Sequence, residues 1–219
     1  YLSPKLYDSY LIKIDRAIFG GDPTNVSNYF NHPLLTEFLQ IIYGIFYLMP
    51  IIFAMELYLW HRYEELKYEM FVVFVGFYLS FLGYLLVPAI GPRFTIHNFL
   101  DIDNELPGLF FAKYIRHLID FGESIPSGHS NPELFAQRDA FPSGHTIMIV
   151  LITYLSKKMN SNTFYFYLPY SILMIFSTVY LRYHYAADLI GAIPFILVTI
   201  LIANIVYKNK KINFKNISL

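Results

Sequence analysis

Apolar residues gather in five runs along the chain, at about 34–60, 70–91, 142–155, 164–183 and 187–207. A helix rising about 1.5 Å per residue needs about 20 apolar residues to cross a hydrocarbon core of about 30 Å. The pattern therefore predicts five transmembrane helices. The third is the shortest and is closed by Lys157 and Lys158, whose stems can reach back to the interface. Residues 61–67 read as a short solvated loop between the first two spans. Residues 92–140 form a long mixed stretch outside the bilayer core, with one amphipathic piece around 107–121. Residues 1–33, with Asp15-Arg16 and the turn signal Gly20-Gly21-Asp22-Pro23, read as an interfacial helix and loop.

No repeat of fixed period and no linker divides the chain, so 1–219 is expected to be a single domain. The expected fold is an all-α integral membrane bundle of five to six transmembrane helices. Its extracytoplasmic loop would hold the short amphipathic helix. The sixth span is expected in a segment ahead of Tyr1. Lys157-Lys158 and the basic tail Lys208, Lys210, Lys211 and Lys215 fall on one side by alternation. The positive-inside rule assigns that side to the cytoplasm and residues 92–140 to the outer face.

Composition narrows the chemistry. Hydrophobic residues make up 56% of the chain and charged ones 15%, too few polar groups to cover a soluble globule of 219 residues. Cysteine is absent, which excludes disulfides, zinc-thiolate sites and thiol nucleophiles. Basic and acidic residues balance at 16 each without a basic, aromatic-interleaved run, so nucleic acid is not an expected partner. The 20 Tyr and 21 Phe suit packing and interfacial anchoring.

The ionisable residues then converge on one membrane face. Arg93 follows the outer end of the second span, Arg138 and His145 bracket the start of the third, and Arg182, His184 and Asp188 lie at the junction of the last two. Charges at membrane depth cost at least about 2–3 kcal/mol each, so several at one level argue for a site. Phe141-Pro142-Ser143-Gly144-His145-Thr146 marks a helix N-terminus, with proline suited to the first position and serine to the cap. The N–H groups of Ser143, Gly144 and His145 would cradle an anion there, and His145 could protonate a departing alcohol. Alone, the hexapeptide reads equally well as an ordinary capped helix. In Arg182-Tyr183-His184-Tyr185-Ala186-Ala187-Asp188, i,i+4 spacing on a helix would let Asp188 hold one nitrogen of His184 and free the other for attack on phosphorus. Alone, that pair more readily ties two helices together.

Together the two motifs resemble the second and third signatures of the type 2 phosphatidic acid phosphatase superfamily, membrane proteins with a six-helix core. Asp15-Arg16 with Gly20 to Thr24, Gly91-Pro92-Arg93, Asp139 to Thr146 and Tyr180 to Asp188 are similar to the branch containing inositol phosphorylceramide synthases. The resemblance implies His184 as nucleophile, Asp188 as its orienting partner, His145 as general acid, Ser143 and Gly144 as phosphate donors, and no metal or other cofactor. It also implies a lipid phosphate as substrate and water or an alcohol such as inositol as acceptor. The arginine usual six residues before the nucleophile is Thr178 here, and the first signature's lysine position falls on Leu86. Arg93, Arg138 and Arg182 are therefore the candidate phosphate clamps. A second Pro-Ser-Gly-His at 126–129 leads into Ser130-Asn131-Pro132-Glu133, which cannot start a span, and reads as loop. His97 and His117 read as surface histidines. A transporter using the His/Asp cluster and a metal site built on it are the rival readings.

Overall fold

The computed structural model describes residues 5–126 and 128–208. Lys210, Lys211 and Lys215 of the expected basic tail, and Ser127 of the second Pro-Ser-Gly-His, lie outside these residues. The described chain is all-helical. Its longer helices are α1 Asp8–Phe19, α2 Pro33–Gly44, α3 Leu48–Leu59, α4 Tyr63–Leu86, α5 Ala112–Gly122, α6 Gly144–Lys158, α7 Phe164–Tyr180 and α8 Ala186–Val206.

Among the described residues, three stretches are long and apolar enough to cross a membrane: Pro33–Leu59, Tyr63–Leu86 and Ala186–Val206; Phe164–Tyr180 is a shorter apolar helix. The first is broken at Ile45–Tyr47 by a tighter helical turn. Pro50 supplies the reason, because its ring crowds the carbonyl of Phe46 and it has no N–H to donate. The second begins at Tyr63, seven residues earlier than the apolar pattern predicts. The charges there are not all solvated: Arg62 pairs with Glu65 and donates to the Met159 carbonyl, and both side chains are buried. The helix ends at Leu86, before Pro88, which disfavours helical backbone in the residue ahead of it.

α6 is the hub, packed against α3, α4, α7 and α8; α2 lies along α5 and α7, and α1 lies against α8. The core fills with Leu39, Met49, Phe53, Leu57, Val72, Ile147, Leu151, Leu155, Tyr167 and Met174. The C-terminal end of α4 and the N-terminal ends of α6 and α8 meet at one end of this bundle, and the signature residues gather there.

Candidate active site

Three loops build the site and are tied to one another through backbone. Arg93 N–H donates to the Arg182 carbonyl, Ala140 N–H to the Ala89 carbonyl, and Ser143 N–H to the Asp188 carbonyl, all at 3.0–3.1 Å. Gly91 makes the first loop possible. Its φ of +93° suits only glycine, and a Cβ would sit 2.9 Å from the Tyr183 carbonyl oxygen.

The third loop leaves α7 by a left-handed turn. Arg182 occupies the left-handed region at φ 67°, and Arg182 and Tyr183 N–H close on the carbonyls of Val179 and Thr178 in a Schellman cap. His184 N–H also reaches the Thr178 carbonyl at 3.1 Å. His184 thus stands in the turn before α8, not on a helix as its spacing from Asp188 suggests. The pair forms all the same, because Asp188 sits in the first turn of α8 and reaches back over its end.

The His184 ring is held from one side. Its Nδ1 lies 2.9 Å from the Ala140 carbonyl and 3.3 Å from Asp188 Oδ2. A carbonyl can only accept, so Nδ1 carries the proton and Nε2 presents a lone pair. Asp188 Oδ2 also accepts from Tyr185 N–H at 2.8 Å, which fixes the carboxylate. The His184 Nε2 faces His145 Nδ1 at 3.2 Å. His145 is wedged against Tyr43 and Phe46, with ring centroids 4.7 Å away in each case. Its Nε2 is buried and has no hydrogen-bond partner among the described residues.

These histidines line a cavity of about 50 Å³ together with Arg93, Ala140, Ile90 and Gln137. Tyr43, Tyr84, Tyr183, Glu123 and Asp139 complete the lining. Arg93 is buried and binds Asp120 at 3.0 Å and Glu123 in a second, shorter ion pair. Burial opposes its charge, but Glu123, Tyr183 and Asp120 outweigh that and hold the guanidinium above its ordinary range. Burial conversely raises Glu123 and Asp120 above the usual carboxylate range, against the pull of Arg93.

The anion cradle differs from expectation. The helix starts at Gly144 with Ser143 as its cap, so Pro142 stands before the cap and not at the first helical position. Ser143 Oγ accepts from Thr146 N–H, and Ser143 N–H is taken by the Asp188 carbonyl. The open donors of the first turn are therefore the Gly144 and His145 N–H groups. Gly144 is small for a different reason than ligand access: a Cβ there would collide with the Tyr84 hydroxyl.

The arginines separate. Arg93 reaches the cavity. Arg182, 1% exposed, points away, donating to Ser27 Oγ at 3.2 Å, Asn28 Oδ1 at 3.0 Å and the Glu105 carboxylate. Arg138 is half-buried on the segment leading to Asp139 and is not among the cavity-lining residues. His129, from the second Pro-Ser-Gly-His, bonds Asn131 N–H and packs on Phe135, off the cavity. His97 is not a surface residue. It bonds Thr24 Oγ1 at 2.8 Å, and burial, with the Arg182 charge adding to it, pushes it down to about 4. His117 is exposed, as expected.

Outside the loops, α1 supplies two buried carboxylates that the sequence reading does not place in the site. Asp15 accepts from Ala186 and Ala187 N–H at 3.0 and 2.7 Å, filling the N-terminus of α8. Asp8 accepts from Gly91 N–H at 2.9 Å and the Tyr185 hydroxyl at 2.8 Å. Together they clip the first and third loops to one helix.

A profile of the PAP2 superfamily matches residues 9–202, a stretch that contains every loop just described. The chain belongs to the PAP2 superfamily. Among the described residues, three apolar helices fit the membrane setting of PAP2 proteins. A PA-phosphatase related-family protein of Dictyostelium discoideum is 28% identical over 199 residues, covering 81% of this chain. The chain spans 34% of that relative's length. No solved structure matches this PAP2 chain significantly.

Proposed function

We propose that this protein is a metal-independent phosphatase or phosphotransferase of lipid phosphates, lipid diphosphates or phospholipid headgroups, working through a phosphohistidine on His184. The observation that carries the reading is the fixed tautomer of His184, whose Nδ1 is committed to Ala140 and Asp188 while Nε2 keeps its lone pair facing His145. His184 Nε2 attacks phosphorus, the bond to the leaving oxygen breaks, and His145 gives that oxygen its proton. His145 then takes a proton from the acceptor hydroxyl, whose oxygen displaces His184 from phosphorus. Water as acceptor releases phosphate, and an alcohol yields a phosphodiester or phosphomonoester. Arg93 and the N–H groups of Gly144 and His145 meet the phosphoryl oxygens. Because the two rings face each other at 3.2 Å and Arg93 is ion-paired with Glu123, substrate binding parts the rings and draws Arg93 from Glu123.

In this reading the five apolar helices span the bilayer, and residues 92–140 cover the site on the outer face. Transfer to a hydroxyl-rich alcohol is the second outcome of the same chemistry. It is favoured by Glu123 and Asp139, carboxylates that line the cavity and accept hydrogen bonds from hydroxyls. The test uses purified protein in detergent with excess chelator, lipid phosphates and labelled phospholipid donors, with and without inositol. Released phosphate, or a new phosphodiester, is expected to survive chelation and to vanish in His184→Ala. His145→Ala is expected to lower kcat by about 10²–10⁴-fold. Turnover that chelator abolishes, or that both variants retain, contradicts the proposal.

A further inference from the structure

The amphipathic helix α5 presents a face that nothing among the described residues covers. Tyr114, Leu118 and Phe121, spaced i, i+4 and i+7, are 74%, 69% and 81% exposed. The exposed Phe110 and Phe111 lie just ahead of the helix. The helix is nevertheless firmly held from its other side. The Glu37 carboxylate accepts N–H groups from Leu109 through Ala112, and Ile115 packs so close to Gly44 of α2 that no Cβ would fit there. An ordered helix that keeps three large apolar side chains outward has a partner for them.

Two observations say which partner. The first is continuity. α5 lies along α2, which opens the membrane-crossing stretch Pro33–Leu59. That stretch carries its own outward apolar stripe through Leu34, Phe38, Leu48, Ile51 and Met55. The second is the polar edge of the stripe. Lys113 and His117, one turn apart, flank the α5 stripe and are more than half exposed, with Asp103 at 3.5–3.6 Å as their shared partner. An apolar face edged by such groups is the pattern of a helix lying in a lipid interface. A cleft of about 660 Å³ opens at the same edge, lined in part by Phe110, Lys113, Tyr114 and His117.

We propose that α5 docks on the outer lipid leaflet, with Tyr114, Leu118 and Phe121 among acyl chains and Lys113 and His117 at the level of the phosphate headgroups. Residues 92–140 are then not wholly aqueous. Because Asp120 lies on α5 and Glu123 directly after it, and both pair with Arg93 at the cavity, the leaflet-facing helix and the site are joined by these ion pairs. The proposal rests on the membrane placement and is independent of the phosphoryl chemistry.

The chain has a single tryptophan, Trp60, so Trp60→Phe gives a silent background. Tyr114→Trp, Leu118→Trp and Phe121→Trp are then introduced one at a time. All three positions are exposed, so the fold tolerates them. The full chain is reconstituted in phosphatidylcholine vesicles with or without bromine on the acyl chains, and vesicle flotation reports membrane integration separately. Strong quenching by the brominated lipid with protection from aqueous iodide is the expected result at all three positions. Quenching by iodide without an effect of brominated lipid overturns the proposal. Protection from both quenchers also overturns it. Chain that does not float with the vesicles removes the membrane placement, and the proposal with it.

Discussion

His184 Nδ1 faces only acceptors, and that single constraint decides which nitrogen can act. Asp188→Asn puts an amide where a carboxylate accepted two hydrogen bonds, so the ring loses its orienting anion while its position barely changes. We expect kcat to fall by about 10²–10³-fold with KM little altered, measured as initial rates. Gly91 makes a sharper structural test. Gly91→Ala forces a side chain into positive φ and against the Tyr183 carbonyl, and should cost about 1–3 kcal/mol, read from thermal unfolding in detergent. His97 predicts a pH dependence. It titrates near 6.5 in the unfolded chain but near 4 when folded, so between those values the unfolded chain binds more protons. Stability should therefore drop as pH falls from about 6.5 towards 4, and His97→Gln should flatten that slope.

At the scale of elements, α1 is expected to matter to rate although none of its side chains lines the cavity. Asp15→Asn leaves one of the two α8 N–H groups facing an amide donor, a loss of about 1–1.5 kcal/mol. Expressed at the neighbouring His184, that lowers kcat about tenfold with KM unchanged. An unchanged kcat would show that α1 is only a clip. The all-helical class and the three longest apolar helices are legible in the chain, because apolar run length is a local signal, and the Ser143 and Asp188 motifs lie in the loops that the structure brings to one end. What escaped was non-local. Tyr43 and Tyr84 sit inside apolar runs and look like any other anchor, and neither Asp8 nor Asp15, although the latter is part of the family resemblance, gives a local sign that it reaches loops 82 to 177 residues away. The break at Ile45–Tyr47 did have a local sign in Pro50, hidden within an unbroken apolar run. Arg182 was misleading for the opposite reason: its place in the motif suggests a clamp, while its left-handed backbone turns the guanidinium towards Ser27 and Glu105.

At the scale of the whole molecule, three backbone-linked loops, a carboxylate clip from α1 and an outer helix converge on one end of a bundle whose long helices suit a membrane. In the proposed reading, the Arg93 ion pairs describe a site at rest, with the carboxylates of Asp120 and Glu123 holding the guanidinium that a phosphoryl group would take. The central claim is that phosphorus is carried on His184. It is tested most directly with His145→Ala and a labelled nitrophenyl phosphodiester or monoester, whose leaving group departs without an acid. The first step then proceeds while the second lacks its base, so alkaline quenching should trap label on the protein, stable in base and lost in acid, and mapping to His184. Absence of bound label, or label that persists in His145→Ala combined with His184→Ala, would contradict the account.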